Sequence, residues 1–164
     1  MNRLAPSVAV MALLAWLAAG TTAFGEAKVL ENFTLIDGTG TPPLAGAALV
    51  VADGKIEYAG PAAQMKVPIG AQRFNLAGKY VMPGLINLHA HVGNVRDLAQ
   101  DPRYFTRENV QSQLATYASY GVTSVVSLGT DPDLVYQIRA EQRAGRPSVT
   151  RLFTAGQGFT VKGG

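Results

Sequence analysis

The hydrophobic pattern of this chain changes period at Met82-Pro83-Gly84, and that change limits the folds open to it. Before this point, apolar residues alternate or run in short blocks between turn-forming residues, the pattern of strands. After it, strand-like blocks alternate with stretches whose apolar residues recur every three to four positions, the pattern of strands joined by helices. Two such patterns in succession define an α/β chain, with a sheet of short strands first and parallel strands later.

Residues 28–82 read as four or five strands of one sheet. Ala48-Leu-Val-Val51 and Lys55-Ile-Glu-Tyr-Ala59 flank Asp53-Gly54, and Asp-Gly between apolar runs predicts a two-residue hairpin. Phe74-Asn-Leu76 and Tyr80-Val-Met82, separated by Ala77-Gly78-Lys79, predict a second hairpin. Leu30 to Ile36 alternates and is closed by a Gly/Thr/Pro loop, Asp37 to Pro43. Such a sheet leaves one apolar face in need of a partner.

Residues 83–164 predict a βαβαβ unit. Leu85 to Val92 is a strand. Thr106 is a candidate N-cap for a helix whose inner residues are Val110, Leu114, Tyr117 and Ala118, with Gly121 just beyond it. Val122 to Leu128 is a second strand, and Asp131-Pro132 predicts a capped helix start. Leu134 and Ile138 then form an inner stripe that stops at Gly145, and Arg151 to Ala155 is a third strand. Short connections through helices make these strands parallel.

The N-terminus has a different character. Arg3 precedes an unbroken apolar run, Val8 to Ala19, followed by Gly20, Thr21 and Thr22. Twelve residues match the apolar region of a secretory signal and fall short of the ~20 that a spanning helix needs. Residues 1–25 therefore read as a signal peptide, with Ala23-Phe-Gly25 or Gly25-Glu-Ala27 at the cleavage point. An uncleaved anchor is the alternative. The reading implies an exported protein, periplasmic or secreted, with no stable membrane span after cleavage. The chain has no Cys, so disulfides, a thiol nucleophile and Cys-ligated zinc are excluded. A net charge of +3 with scattered basic residues gives no nucleic-acid interface.

The only two histidines are His89 and His91. On a strand, residues i and i+2 share a face, so both imidazoles stand side by side with Leu85 and Asn87. Ile86, Leu88 and Ala90 then face the covering helices. Neutral imidazole suits Zn²⁺ and similar ions, and the C-terminal end of a strand is where α/β enzymes place ligands. The plainer reading is a hydrogen-bonded pair at a strand end. Asp101, Glu108, Asp131 and Asp133 read as loop and capping charges, and Gly129, Gly156 and Gly158 as turn residues. No catalytic residue and no organic cofactor site is read from the sequence.

The run Val81-Met-Pro-Gly-Leu-Ile-Asn-Leu-His-Ala-His91 resembles the first-strand signature of the metal-dependent amidohydrolase superfamily, nearest its imidazolonepropionase- and prolidase-like branch. Asp53-Gly-Lys-Ile56 and Leu76-Ala-Gly-Lys-Tyr-Val-Met-Pro-Gly84 are similar to the β-domain that precedes its barrel. Tyr120-Gly-Val-Thr-Ser-Val126 and Arg151-Leu-Phe-Thr-Ala-Gly156 resemble its second and third barrel strands. The resemblance implies a (β/α)8 barrel, of which residues 83–164 supply about three βα units. Residues 28–82 would be the N-terminal half of a composite β-sandwich. It further implies one or two divalent ions, Zn²⁺ foremost, with His89 and His91 as ligands to the more buried one. The implied chemistry is hydrolysis of C–N bonds by metal-activated water, on a small amide or peptide-like substrate.

Asn87 stands where the family often has Asp, and Ser127-Leu-Gly129 lacks the Arg-Asp pair that many relatives carry after the second strand. The family's other ligands, a carboxylated lysine or glutamate, two histidines and an aspartate base, lie on later strands. A catalytic zinc uses three protein ligands and a water, so these 164 residues alone are expected to be inactive and, with an open sheet edge, to aggregate. The alternative is a short exported interaction module, non-catalytic, that pairs through that edge; a monodisperse product would distinguish it.

Overall fold

The computed structural model describes residues 27–129, 131–145, 147–159 and 161, so the expected signal segment lies outside the described residues. The chain divides between Met82 and Pro83 into two compact units.

The first unit is a five-stranded sheet. Its strands are β1 (Lys28–Leu35), β2 (Leu44–Ala52), β3 (Lys55–Pro61), β4 (Gln72–Asn75) and β5 (Tyr80–Val81). They run in the order β3-β2-β1-β4, with β5 also pairing β1. The β2–β3 hairpin turns on Asp53 and Gly54, both at positive φ (50° and 74°), as a two-residue turn matched to strand twist requires. Phe33, Leu35, Ala47 and Leu49 form the core, joined by Leu30, Leu44, Val51, Leu76 and Val81. Ala47 to Val50 are buried consecutively, so β2 is covered on both faces rather than one.

The second predicted hairpin does not form. β4 and β5 both run parallel to β1, β4 against Lys28–Glu31 and β5 against Thr34–Leu35. They are two segments of one edge, interrupted by a sidestep. Asn75 Oδ1 accepts from the Ala77 amide at 3.1 Å and from Asn32 Nδ2 at 3.1 Å. The Thr34 amide donates to the Lys79 carbonyl. Asn32 has φ 64° and sits at a bulge in β1, which matches the sidestep opposite. Turn-forming residues were correctly located here, but the side-chain bonds of Asn75 carry the chain forward instead of back. Arg73 fixes the register further through two bonds to the Glu31 carboxylate.

The second unit holds a three-stranded parallel sheet flanked by helices. β6 (Leu85–Ala90) is followed by a small antiparallel pair, β7 (Val95–Arg96) and β8 (Ala99–Gln100), and a 3₁₀ turn, Pro102–Tyr104. Then come α1 (Arg107–Ser119), β9 (Val122–Ser127), α2 (Asp133–Ala144) and β10 (Arg151–Thr154). The sheet order is β10-β9-β6, so β9 is central. α1 packs on β9 and α2 on β10, around a core of Ala90, Val92, Val110, Leu114, Val125, Val135, Ile138 and Leu152.

Thr106 caps α1 by accepting from the Asn109 amide at 3.2 Å. Ala118 is exposed rather than inner, because Asn109 and Gln113 take up part of the helix's inward surface. In α2 the buried residues are Val135 and Ile138, with Leu134 only partly covered. A two-pronged ion pair from Arg107 to Glu141 joins the helices. Among the described residues no helix is long and apolar enough to cross a membrane.

Leu114 is fully buried between helix and sheet. Leu114→Ala is expected to cost about 2–5 kcal/mol by leaving a cavity. Thr106→Ala, which only removes the cap, should cost about 1 kcal/mol. Urea titrations of the two variants test this order.

Candidate metal centre

His89 lies one residue before the end of β6 and His91 one residue after it. Their ring centroids are 5.4 Å apart with the planes at 66°, and both residues are exposed. Strand spacing accounts for the proximity, but simple alternation does not hold along β6. The register against β9 slips between Leu85 and Ile86 and again between Asn87 and Ala90. Three steps on β6 thus answer two on β9 around His89. Ile86 and Leu88, expected to lie under the helices, are 63% and 70% exposed. The reason is that β6 is the edge strand and the helices pack on β9 and β10; on this side only Ala90 and Val92 enter the core.

Asn87 is half-buried, and its Oδ1 accepts from the His89 amide at 3.0 Å. A carboxylate at position 87 could accept the same bond, so Asn and Asp would support the His89 backbone alike here. His91 is held on both sides. The Ala90 carbonyl accepts from the Leu128 amide at 2.8 Å, and the Val92 amide donates to Ser127 Oγ at 3.2 Å.

The loop after His91 is clamped by α1. Gln113 Oε1 accepts from the Gly93 amide at 2.7 Å while its Nε2 donates to the Val95 carbonyl at 2.6 Å. Asn109 Nδ2 donates to the carbonyls of Gly93, Val95 and Tyr104. His91 also borders a groove of about 500 Å³ with Val95, Gln113, Tyr117 and Val122. None of these polar residues stood out in the sequence. Their signal was a pair of amides at i and i+4 on a helix face otherwise read as apolar.

Three of the four acidic residues occupy loop or helix-start positions. Asp101 caps the 3₁₀ turn, and its pairing with the Arg103 guanidinium and amide holds its carboxyl below the usual range. Glu108 and Asp133 lie in the first turns of α1 and α2. Asp131 differs. It makes no cap for α2, whose N-cap is Pro132 without a side-chain bond. Its carboxylate is instead 1% exposed and accepts from Ser127 Oγ at 2.7 Å and Thr154 Oγ1 at 2.5 Å.

Two imidazoles that share one tetrahedral ion at the usual Zn–N length have centroids about 5 Å apart. The observed separation of 5.4 Å is close to that distance. Among the described residues no group of three or more His, Cys, Asp or Glu side chains is placed to hold an ion.

The comparisons agree with this architecture. No protein-family model matches the chain. The imidazolonepropionase of Acidiphilium cryptum is 26% identical, over 71% of this chain and 38% of its own length. The 5-methylthioadenosine/S-adenosylhomocysteine deaminase of Symbiobacterium thermophilum is 35% identical, over 48% of this chain and 19% of its own. Among solved structures, a candidate prolidase from Bifidobacterium longum superposes with a TM-score of 0.71 at 28% identity, covering 86% of this chain and 33% of its own. In both sequence and fold the chain is similar to proteins of the amidohydrolase superfamily, which supports the resemblance read from its sequence. These relatives include imidazolonepropionase, deaminase and prolidase-type proteins, and members of the superfamily are generally metal-dependent. The chain spans between about a fifth and two fifths of the length of these relatives.

Gly93 has φ +102°, and a Cβ there would lie 2.5 Å from the Phe105 ring. Gly93→Ala is expected to lose about 1–3 kcal/mol through backbone strain and to loosen the loop beyond His91. Hydrogen exchange at the Gln113-clamped amide of residue 93 is the measurement; unchanged protection there would contradict it.

Proposed function

We propose that this chain is the N-terminal portion of an exported, metal-dependent hydrolase of C–N bonds. In this reading residues 83–164 are the first three βα units of a (β/α)8 barrel. Residues 28–82 are the N-terminal half of the composite β-sandwich that flanks it. The observation that carries the reading is the pair of imidazoles at the C-terminal end of β6, 5.4 Å apart, in a fold shared with amidohydrolase structures. The C-terminal ends of parallel strands are where barrels of this kind build their sites. Export rests on the apolar run Val8 to Ala19 behind Arg3.

His89 and His91 would hold a divalent ion, Zn²⁺ by the preference of neutral imidazole. When bound with its remaining ligands, such an ion lowers the pKa of a water and polarises a carbonyl oxygen. This chain's own contribution is positional. Asn87 fixes the His89 backbone, the end of β9 fixes His91, and the Asn109–Gln113 clamp holds the loop that follows. The substrate class that fits is a small amide or peptide-like molecule. With two ligands, the described residues fall short of the three that a catalytic zinc uses, so the chain by itself binds metal weakly and does not hydrolyse.

Two measurements test this. Zn²⁺ added to the full chain should perturb both histidine ring signals in ¹H–¹⁵N spectra, and His89→Ala or His91→Ala should weaken binding by about tenfold or more, as loss of one of two ligands implies. Metal binding unchanged in both variants would overturn the site. Separately, an antibody to residues 28–164 should detect the native protein outside the cytoplasm at roughly 40–50 kDa, the size of a full barrel with its β-domain. A stable band near 17.3 kDa would favour a short non-catalytic product.

A further inference from the structure

A buried carboxylate on the second unit has no part in the proposed site, yet the ends of all three parallel strands converge on it. Asp131 follows β9 and is 1% exposed; Ser127 closes β9 and is fully buried. Thr154 closes β10. Two donor relays meet at Asp131. In one, the Val92 amide donates to Ser127 Oγ, which donates to Asp131 Oδ1. In the other, the Gly156 amide donates to Thr154 Oγ1, which donates to Asp131 Oδ2. A carboxylate only accepts hydrogen bonds, so it dictates the direction of both hydroxyls. Each hydroxyl must point its proton at Asp131 and turn a lone pair toward a backbone amide.

The consequence reaches His91. Its two flanking peptide groups are the Ala90 carbonyl, bonded to the Leu128 amide, and the Val92 amide, bonded to Ser127. The first of these continues the strand ladder. The second depends on a side chain, and that side chain's direction depends on Asp131. We infer that Asp131, acting through Ser127, is a positioning residue that fixes the backbone at His91 and so the bearing of its imidazole. Thr154 is the parallel arm, which anchors β10 and not His91. The relay stands on the hydrogen bonds alone; its service to a metal centre rests on the functional reading given above.

The two arms make the test specific. In the full chain, Ser127→Ala should raise exchange at the Val92 amide about tenfold, the loss of one buried hydrogen bond, and shift the His91 ring cross-peaks. Thr154→Val should raise exchange at Gly156 and leave the His91 ring where it was. Asp131→Asn strands one hydroxyl proton and should disturb both arms; if that variant does not fold, the two single-arm variants decide. The inference is overturned if Ser127→Ala leaves Val92 and the His91 ring unchanged. It is equally overturned if Thr154→Val moves the His91 ring as far, since that would be a general loosening of the sheet. A Zn²⁺ titration of the unaltered chain, read on the same ring signals, keeps the two readings apart. Rings unmoved by Zn²⁺ count against the metal site, while the exchange results still decide the relay.

Discussion

Where a parallel strand runs past its neighbour's last ladder bond, its backbone amides are still buried and still need acceptors. In the second unit that requirement is met by Ser127 and Thr154 side chains turned toward the Val92 and Gly156 amides, with the Asp131 carboxylate beneath them. A buried carboxylate is costly unless its lone pairs are filled. Here two hydroxyls fill them and pass the acceptor capacity on to two strand ends. The arrangement joins β6, β9 and β10 at the end where the histidines lie. The carboxylate that supports the end of β9 comes from four residues further on in the chain.

Around this polar cluster the unit is built from ordinary apolar packing. Val110 and Leu114 from α1, Val135 and Ile138 from α2, and Val125 and Leu152 from the sheet close a continuous core. α1 does two jobs on one surface. Its apolar residues bury against β9, while Asn109 and Gln113 hold the peptide groups of residues 93 to 95. That division explains why the helix has fewer inward apolar residues than its pattern first suggests, and why Ala118 is left in solvent.

The features legible in the sequence were those decided by neighbours in the chain. Asp53-Gly54 specifies its turn through backbone conformations of two adjacent residues. Thr106 caps α1 through an amide three residues on. The proximity of the histidines follows from a two-residue spacing on a strand. What escaped were partners far apart in sequence. Asn75 decides the path of the chain after β4, but one of its bonds goes to Asn32, 43 positions away. Asp131 sits beside a proline in the pattern of a helix start, but its bonds to Ser127 and to Thr154, 23 positions later, turn its carboxylate into the sheet instead. The strand alternation that put Ile86 and Leu88 under helices failed because a bulge and an edge position are properties of the sheet, invisible in one strand.

The placement of β1 has a consequence for how the first unit is made. Among the described residues β1 is the earliest strand, and it lies inside the sheet, with β2 on one side and β4 and β5 on the other. As the chain leaves the ribosome, β1, β2 and β3 can assemble as a meander, but the second edge of β1 stays bare until residues 72–81 have emerged. β1 carries Val29 and Phe33, both among the most buried residues of the finished unit. Until residues 72–81 pair with it, β1 is an unpaired apolar strand that other chains could extend. The closing segment, only two short strands and a sidestep, ends that exposure.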